Sequence, residues 1–343
     1  MIKKYNQKGI IIRTNCICNN KLKQKINFDN LPLINNYKAK KNLIKYPVAI
    51  CQCENCLLIQ LKYSVSDKFL FPHDYSYLSG NSKEKINNFG SILDRIKKLS
   101  KKSNPKILDI GSNDGSFLSL VKKKYSNVLG IEPTDTAKIS IKKGIDTIKK
   151  PLDFKLAKKI LNKYSKFDFI ISTNFFAQTN NLKEILKSIK LILNKEGILI
   201  VEVQYLYDLL LQKGFDSFHH EHIAYYTASS ITKVLNKHKL YVFDADKLKV
   251  HGGMLRVYIS LDKKPISKKL KKILGSENDK NIINKIKSLN LFRIKFNNKM
   301  KKLLLSLKKK KKKIYAMGAA PRACVMLNSC GLTKNEIGLV GEL

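Results

Sequence analysis

The chain has 343 residues, is 43% hydrophobic and carries a formal net charge of +41. That length exceeds one ordinary domain and can bury a sizeable core. The charge invites a nucleic-acid reading, but all but five of the 67 basic residues are lysine, a drift of composition across the chain rather than a groove of arginine forks and interleaved aromatics, so no specific nucleic-acid partner is expected.

The N-terminal "MIKKYNQKGIII" lacks an apolar h-region and a cleavage site. No stretch reaches the ~18 apolar residues of a membrane span. The seven cysteines are clustered rather than dispersed as a disulfide framework would be. The expected setting is reducing and cytoplasmic, away from membranes. Residues 1–85 are Cys-bearing and short of long periodic runs. "TNCICNN" supplies Cys16 and Cys18; "CQCENC" supplies Cys53 and Cys56, with Cys51 as an extra candidate. Two close cysteine pairs in a reducing compartment suggest a structural tetrahedral Zn2+ site on Cys16, Cys18, Cys53 and Cys56. A set of buried reduced thiols is the alternative. Cys324 and Cys330 lie in apolar text and read as core.

From 86 to 262 strands and helices alternate. "NPKILDIG" predicts a strand ending at Gly111, "SFLSLVKKKY" a helix, "NVLGIEP" a second strand, and "FDFIIST" (167–173) a third, apolar on both faces. "LKEILKSIKLIL" (182–193) is an amphipathic helix and "EGILIVEV" the next strand. "LYVFDADKL" and "GMLRVYISL" read as an antiparallel pair around "KVHGG". This alternation predicts a doubly wound α/β sheet. Beyond residue 262 a Lys-rich helical stretch precedes a fresh strand-and-glycine signal, "IYAMGAAPRA"; "KKKKKK" reads as a solvated helix end or linker.

In "ILDIGSNDGSFL", Gly111 and Gly115 sit between a strand and a helix, where glycine lets a ligand approach the backbone. Asp109 precedes the loop, Asn113 lies within it, and Glu132 ends the next strand, where a carboxylate can accept both ribose hydroxyls. The pattern is neither Gly-x-Gly-x-x-Gly nor a P-loop. Acid, glycine loop and acid suit S-adenosylmethionine (SAM), which has no phosphate to cradle. A tight turn in an unrelated α/β protein is the alternative. "SFHHEHIAYY" (217–226) holds half of the six histidines and admits metal, acid–base or surface readings. Metalloprotease His-Glu-x-x-His spacing is absent. On an extended segment His220 and His222 would share one face, with His219 and Glu221 on the other. Tyr225 and Tyr226 read as packing.

These landmarks, with "HDYSYLSGNS", "STNFFAQTNNL", "HGGMLRVYIS" and "GAAPRACVMLNSCGL" in order, resemble the deoxysugar C-methyltransferases of the mycarose and tetronitrose C-3 type. The resemblance covers nearly the whole chain. It implies an N-terminal zinc-binding and substrate-contacting domain (1–85), a Rossmann-like SAM-binding core (86–262) and a Rossmann-like C-terminal domain (263–343) that would normally continue further. It also implies methylation at carbon beside the ketone of a nucleotide-activated 4-keto-6-deoxysugar. The resemblance makes His222 the general base and Glu221 its tuning partner, with His219 and His220 beside them. Tyr77, or its neighbour Tyr75, and the pair Asn174 and Gln178 complete the catalytic set. His219 stands where the family usually has Tyr, and Gln178 where it usually has His; Gln hydrogen-bonds but does not titrate. His251 could line the site or belong to a turn, and Arg322 could hold a substrate phosphate or lie on the surface. A monomer or weak dimer is expected. The competing functions are methylation of another small metabolite, including at oxygen, and a non-catalytic SAM-binding relic.

Overall fold

The computed structural model describes residues 2–4, 9–34, 44–318 and 320–341. Parts of the N-terminal stretch, Ala319 of "GAAPRA" and the last two residues of "EIGLVGEL" lie outside the described residues. Near the N-terminus β1 (Leu22–Leu31), β2 (Tyr46–Cys53) and β3 (Ile59–Leu61) form an antiparallel sheet. A short three-stranded sheet, Ile2–Lys4, Ile10–Arg13 and Tyr63–Val65, lies beside it in sequence. Helix α1 (Lys83–Leu99) follows, so it starts before the expected boundary at residue 86.

The central sheet contains β4 (Ile107–Ile110), β5 (Val128–Ile131), β6 (Thr147–Ile148), β7 (Phe167–Thr173) and β8 (Leu193–Gln204), all parallel. A two-residue strand, β9 (Ala224–Tyr225), intervenes in sequence. Then β10 (Tyr241–Leu248) and β11 (Met254–Ser260) pair antiparallel at one end of the sheet, as the sequence predicts. Spatial order is β10-β11-β8-β7-β4-β5-β6. The helices of this region are α2 (Ser116–Lys122), α3 (Thr136–Lys142), α4 (Phe154–Tyr164), α5 (Phe175–Gln178), α6 (Leu182–Ile192) and α7 (Ala228–Lys237).

Period-two alternation within the apolar strands divides the core into two layers. Ile107, Phe169, Ile171 and Ile200 pack with Phe89, Ile92 and Ile96 of α1 and Phe117, Leu118 and Val121 of α2. Their neighbours Leu108, Ile110, Ile170 and Val201 pack on the opposite face with Ala157 and Ile160 of α4 and Leu186 and Ile189 of α6. Glu202 and Arg256, opposite one another in the β8–β11 register, form a buried ion pair at 2.6 Å. Asn88 Nδ2 donates to the second oxygen of Glu202 at 2.8 Å, and Arg256 donates to Asn88 Oδ1 and Ser91 Oγ at 3.0 and 2.7 Å. Full hydrogen bonding lets the buried charges persist, and it anchors the first turns of α1 against the sheet.

Strand β9 pairs with β3, joining the N-terminal antiparallel sheet rather than the central one. The segment beyond residue 262 runs through α8 (Ile282–Lys309), whose lysine-rich end is exposed, to β12 (Tyr315–Met317), α9 (Pro321–Ser329) and β13 (Leu339–Gly341). Strands β12 and β13 are parallel, a single β-α-β unit of the kind expected there. Among the described residues no helix is long and apolar enough to cross a membrane.

Candidate active site

Strand order reverses about β4 and β7, and in such sheets ligands sit beyond the carboxyl ends of the strands at that point. Here a cleft of about 1140 Å³ opens at this place. The loop after β4 passes through three left-handed residues, Gly111, Asn113 and Gly115, with φ of +77°, +51° and +73°. Gly111 lines the cleft. Gly115 serves a different need from ligand approach: a Cβ there would fall 2.9 Å from the Cβ of Ser140 on α3, so it allows close packing between elements. Asn113 lines the cleft as well. Its side chain accepts from Ser79 N at 2.9 Å and donates to the Tyr77 carbonyl at 3.0 Å, pinning that segment over the loop.

Glu132, just past the end of β5, lines the cleft as well. One carboxylate oxygen accepts from Asn113 N at 3.0 Å; the other accepts from the amide and hydroxyl of Thr134 at 2.9 and 2.8 Å. Each oxygen retains acceptor capacity for a ligand hydroxyl. Asp109 lies beneath, 3% exposed, with Oδ1 unpartnered. Burial, then the charge of Glu132, pushes its carboxyl up to about 8, against the pull of Lys85. The orphaned buried oxygen, the left-handed Gly111 lining the cleft and the strand-end acid fit an amino-acid-bearing nucleoside such as SAM.

Asn174, left-handed at φ +64°, caps α5, and Gln178 ends that one-turn helix; both line the cleft. The 217–226 stretch is not extended. His222 N donates to the His219 carbonyl at 3.1 Å, closing a turn that brings the two rings to 4.5 Å between centroids. The face assignment expected for an extended segment is therefore corrected: His219, Glu221 and His222 line the cleft. His220 turns away, its Nε2 3.4 Å from the Pro47 carbonyl and its ring edge-on to Tyr46. That orientation separates His220 from the other expected catalytic residues. Burial depresses His222 from its ordinary value to about 4. Burial, then the neighbouring His222, holds His219 well below its ordinary value. Both rings are thus neutral near pH 7, and both Nδ1 atoms lack a partner among the described residues.

Tyr75 donates its hydroxyl to Glu221 Oε2 at 3.4 Å, and burial followed by the Glu221 charge holds the phenol protonated. Tyr77, the first choice from sequence, lines the cleft but is 36% exposed and stacks under Lys85. Of the two, Tyr75, the alternative from sequence, is the one hydrogen-bonded to Glu221. Tyr225 and Tyr226 are fully buried, as expected for packing. His251, left-handed at φ +49°, and Arg322 line the cleft; Arg322 pairs with Asp216 through two contacts at 3.0 and 2.7 Å. Sequence reading passed over Lys85, which also lines the cleft. It occupies the same buried helix stripe as Asn88, Phe89, Ile92 and Ile96, and a lysine on an apolar stripe was the available signal.

Away from the cleft, Cys16, Cys18, Cys53 and Cys56 converge with all four sulfurs within 4.8 Å of one another, buried. The spacing suits a tetrahedral ion with ~2.3 Å metal–sulfur bonds. Without a cation the thiols compete to ionise: the hydrogen bond with Cys56 draws Cys16 down to about 6, while burial pushes Cys53 up to about 11. Cys51 is buried outside this group. The set could hold a metal.

A family described as a methyltransferase domain matches residues 85–244, and a C-methyltransferase C-terminal domain matches residues 249–343. C-methyltransferase NovU from Streptomyces niveus is 25% identical over 239 residues, covering 68% of this chain. The chain spans 57% of the length of that curated relative. Among solved structures, magnesium protoporphyrin IX methyltransferase (ChlM) from Synechocystis PCC 6803 with bound SAH is similar at 12% identity and TM-score 0.41, covering 51% of this chain and 83% of its own. A S-adenosylmethionine-dependent methyltransferase from Clostridium acetobutylicum ATCC 824 is similar at 15% identity and TM-score 0.40, covering 57% and 96%.

The raised Asp109 carboxyl sets a stability test. An unfolded aspartate titrates near ~3.9, so the folded state holds its proton more tightly and loses stability as pH rises from about 4 through about 8. Asp109→Asn, similar in shape and uncharged, is expected to melt several degrees above wild type at pH 8, the gap closing as pH falls toward 4. Parallel melting curves over that range would contradict the burial argument.

Proposed function

We propose, for a chain that belongs to the SAM-dependent C-methyltransferases, that it methylates a ring carbon beside the ketone of a nucleotide-activated 4-keto-6-deoxysugar. The observation that carries this reading is one cleft lined by two chemically distinct sets of residues. Gly111 and Glu132 make up one, and two neutral imidazoles with a Tyr75–Glu221 pair make up the other.

Bound SAM supplies an electrophilic methyl group on a sulfonium. The chain's task is to make a carbon nucleophile and hold it in line. A C–H beside a carbonyl is acidic enough for a neutral imidazole to take its proton. His222 is the proposed base; its depressed value keeps it deprotonated well below neutrality. Glu221 receives the Tyr75 hydroxyl, which fixes the carboxylate at the wall. His219, touching His222 and standing where the family usually has Tyr, and Gln178 and Asn174 are candidate donors for the enolate oxygen. Such donors stabilise charge only where water is excluded and their positions are preset. Arg322, held by Asp216, offers a cation toward a substrate phosphate at the cleft wall. The four-cysteine cluster is proposed to hold a structural Zn2+, closed to chemistry by its full thiolate set.

Incubation with SAM and a dTDP-4-keto-6-deoxysugar in D2O tests the reading. A methyl mass gain on ring carbon is expected; methylation at oxygen, or no transfer, refutes it. His222→Asn is expected to lower kcat by roughly 10²–10⁴ with S-adenosylhomocysteine binding retained. The acid limb of wild-type kcat/KM should lie well below the ordinary histidine value, because only protonation of His222 near pH 4 disables the base. Unchanged turnover in the variant would remove His222 from the base role. Purified protein should hold one zinc per chain, and Cys53→Ser should lose it together with secondary structure; metal-free protein of full stability would count against the zinc reading.

A further inference from the structure

Resting on the reading above of Gln178 as a donor for the enolate oxygen, we infer that Arg13 and Asn180 are a positioning pair that sets where α5 holds Gln178. Gln178, Thr179 and Asn181 line the cleft, whereas Arg13 and Asn180 stand behind them. Helix α5 is a single turn, too short to hold itself. Its start is anchored: Asn174 follows β7 directly and its amide donates to the Glu202 carbonyl at 2.8 Å. The last carbonyls of a helix have no partner within it, and here distant segments supply the donors. Tyr226 Oη donates to the Phe176 carbonyl at 3.1 Å, and Ile223 N to the Ala177 carbonyl at 2.7 Å. The turn that follows Gln178 is held by the N-terminal region instead.

Arg13 ends the strand Ile10–Arg13 and is buried. Its Nη2 donates to Asn180 Oδ1 at 2.7 Å and to the Asn180 carbonyl at 3.4 Å. A hydrogen bond from a charged donor is roughly twice as strong as a neutral one. Ser64 Oγ donates to the same Oδ1 at 2.9 Å, while Asn180 Nδ2 donates to the Val65 carbonyl at 2.9 Å and to Asp67. Both ends of this one side-chain amide are therefore satisfied from the N-terminal region. The base they rest on is a sheet rather than a loop: Ile10–Arg13 pairs with Tyr63–Val65, and the Arg13 amide donates to the Lys62 carbonyl at 2.9 Å. Cutting the Arg13–Asn180 contact frees the turn after Gln178 and leaves Asn174 fixed to its strand. Misplacing a reacting group by about 1 Å costs on the order of 10²-fold, so a pair that never meets the substrate can set turnover.

A double-mutant cycle on the full chain separates this role from a general one. Arg13→Met and Asn180→Ala are each expected to lower kcat with a dTDP-4-keto-6-deoxysugar roughly tenfold or more. Exchange of the sugar's α-proton with D2O, measured with S-adenosylhomocysteine bound, should fall by the same factor. Affinity for S-adenosylhomocysteine should stay within about twofold, and Arg13→Lys should recover part of the loss. In a Gln178→Ala background the Arg13→Met loss should shrink to about twofold or less, because residues acting through one another are not additive. An undiminished loss in that background overturns the assignment, as does unchanged turnover or a cofactor affinity that falls in step with it. Amide hydrogen exchange needs no substrate: residues 178–181 should exchange faster in Arg13→Met than in wild type, with β7 unchanged. Asn180→Ala leaves the N-terminal strands intact and gives the same comparison where Arg13→Met fails to fold. Equal protection of 178–181 overturns the pairing whatever the substrate. Wild-type protein that neither exchanges the α-proton nor transfers a methyl group refutes the sugar reading, and the amide comparison then decides the pairing by itself.

Discussion

The cleft depends on one short run of backbone, the turn from β4 to α2, and on the carboxylate that locks it. Glu132 accepts from Asn113 N with one oxygen and from Thr134 with the other. That ties the turn to the end of the neighbouring strand. Asn113, held left-handed, then extends its side chain to Tyr77 and Ser79. The 75–81 segment is thereby fastened over the cleft with its tyrosines inward, and Gly80 N adds a bond to Asp114. A buried carboxylate satisfied by several donors is rigid as well as charged, so this contact orders the wall as well as the floor.

Burial also sets the chemistry around the histidine turn. His219 and His222 are enclosed by the turn that joins them, by Tyr225 and by the N-terminal sheet, to which the following residues add as β9. Ile223 bridges the parts: its amide donates to the Ala177 carbonyl of α5 and its carbonyl accepts from Leu61 N. Low polarity removes the proton from both imidazoles, and Tyr75 keeps its own. An enclosed group of neutral bases and acids beside a deep cleft is the environment in which proton abstraction from carbon proceeds without competition from water. The cysteine cluster belongs to the same N-terminal region: Cys16 and Cys18 precede β1, Cys53 ends β2 and Cys56 lies in the turn toward β3. A metal there would stiffen the surface that supports β9 and, through it, the histidine turn.

Much of this was legible in the chain itself. The strand "FDFIIST" occupies its full predicted span, because an unbroken apolar run between helices has few other fates. The four cysteines announced their grouping by residue type and pairing. The glycine loop announced its place between strand and helix. The errors share a cause. Gly115 and Asn113 have partners, Ser140 and Tyr77, that other elements bring to them, which the loop's own sequence does not announce. Alternation along "HHEH" predicted the wrong faces because the segment closes a turn. Tyr75 and Tyr77 are two residues apart in one short segment, and only the position of Glu221, over a hundred residues later, distinguishes them.

The order of apolar and polar residues, with glycine and cysteine at fixed offsets, determined the doubly wound sheet, its antiparallel closing pair, the metal-capable thiols and the segments that border the cleft. These follow from local propensity and periodicity, which act over a few residues. The tertiary structure alone decided that Lys85 would be a buried cation with no ion pair among the described residues, that His220 would turn away from the cleft, and that β9 would pair in the N-terminal sheet. Each of those outcomes depends on desolvation and on hydrogen-bond partners supplied from distant parts of the chain, and neither quantity exists until the elements have packed.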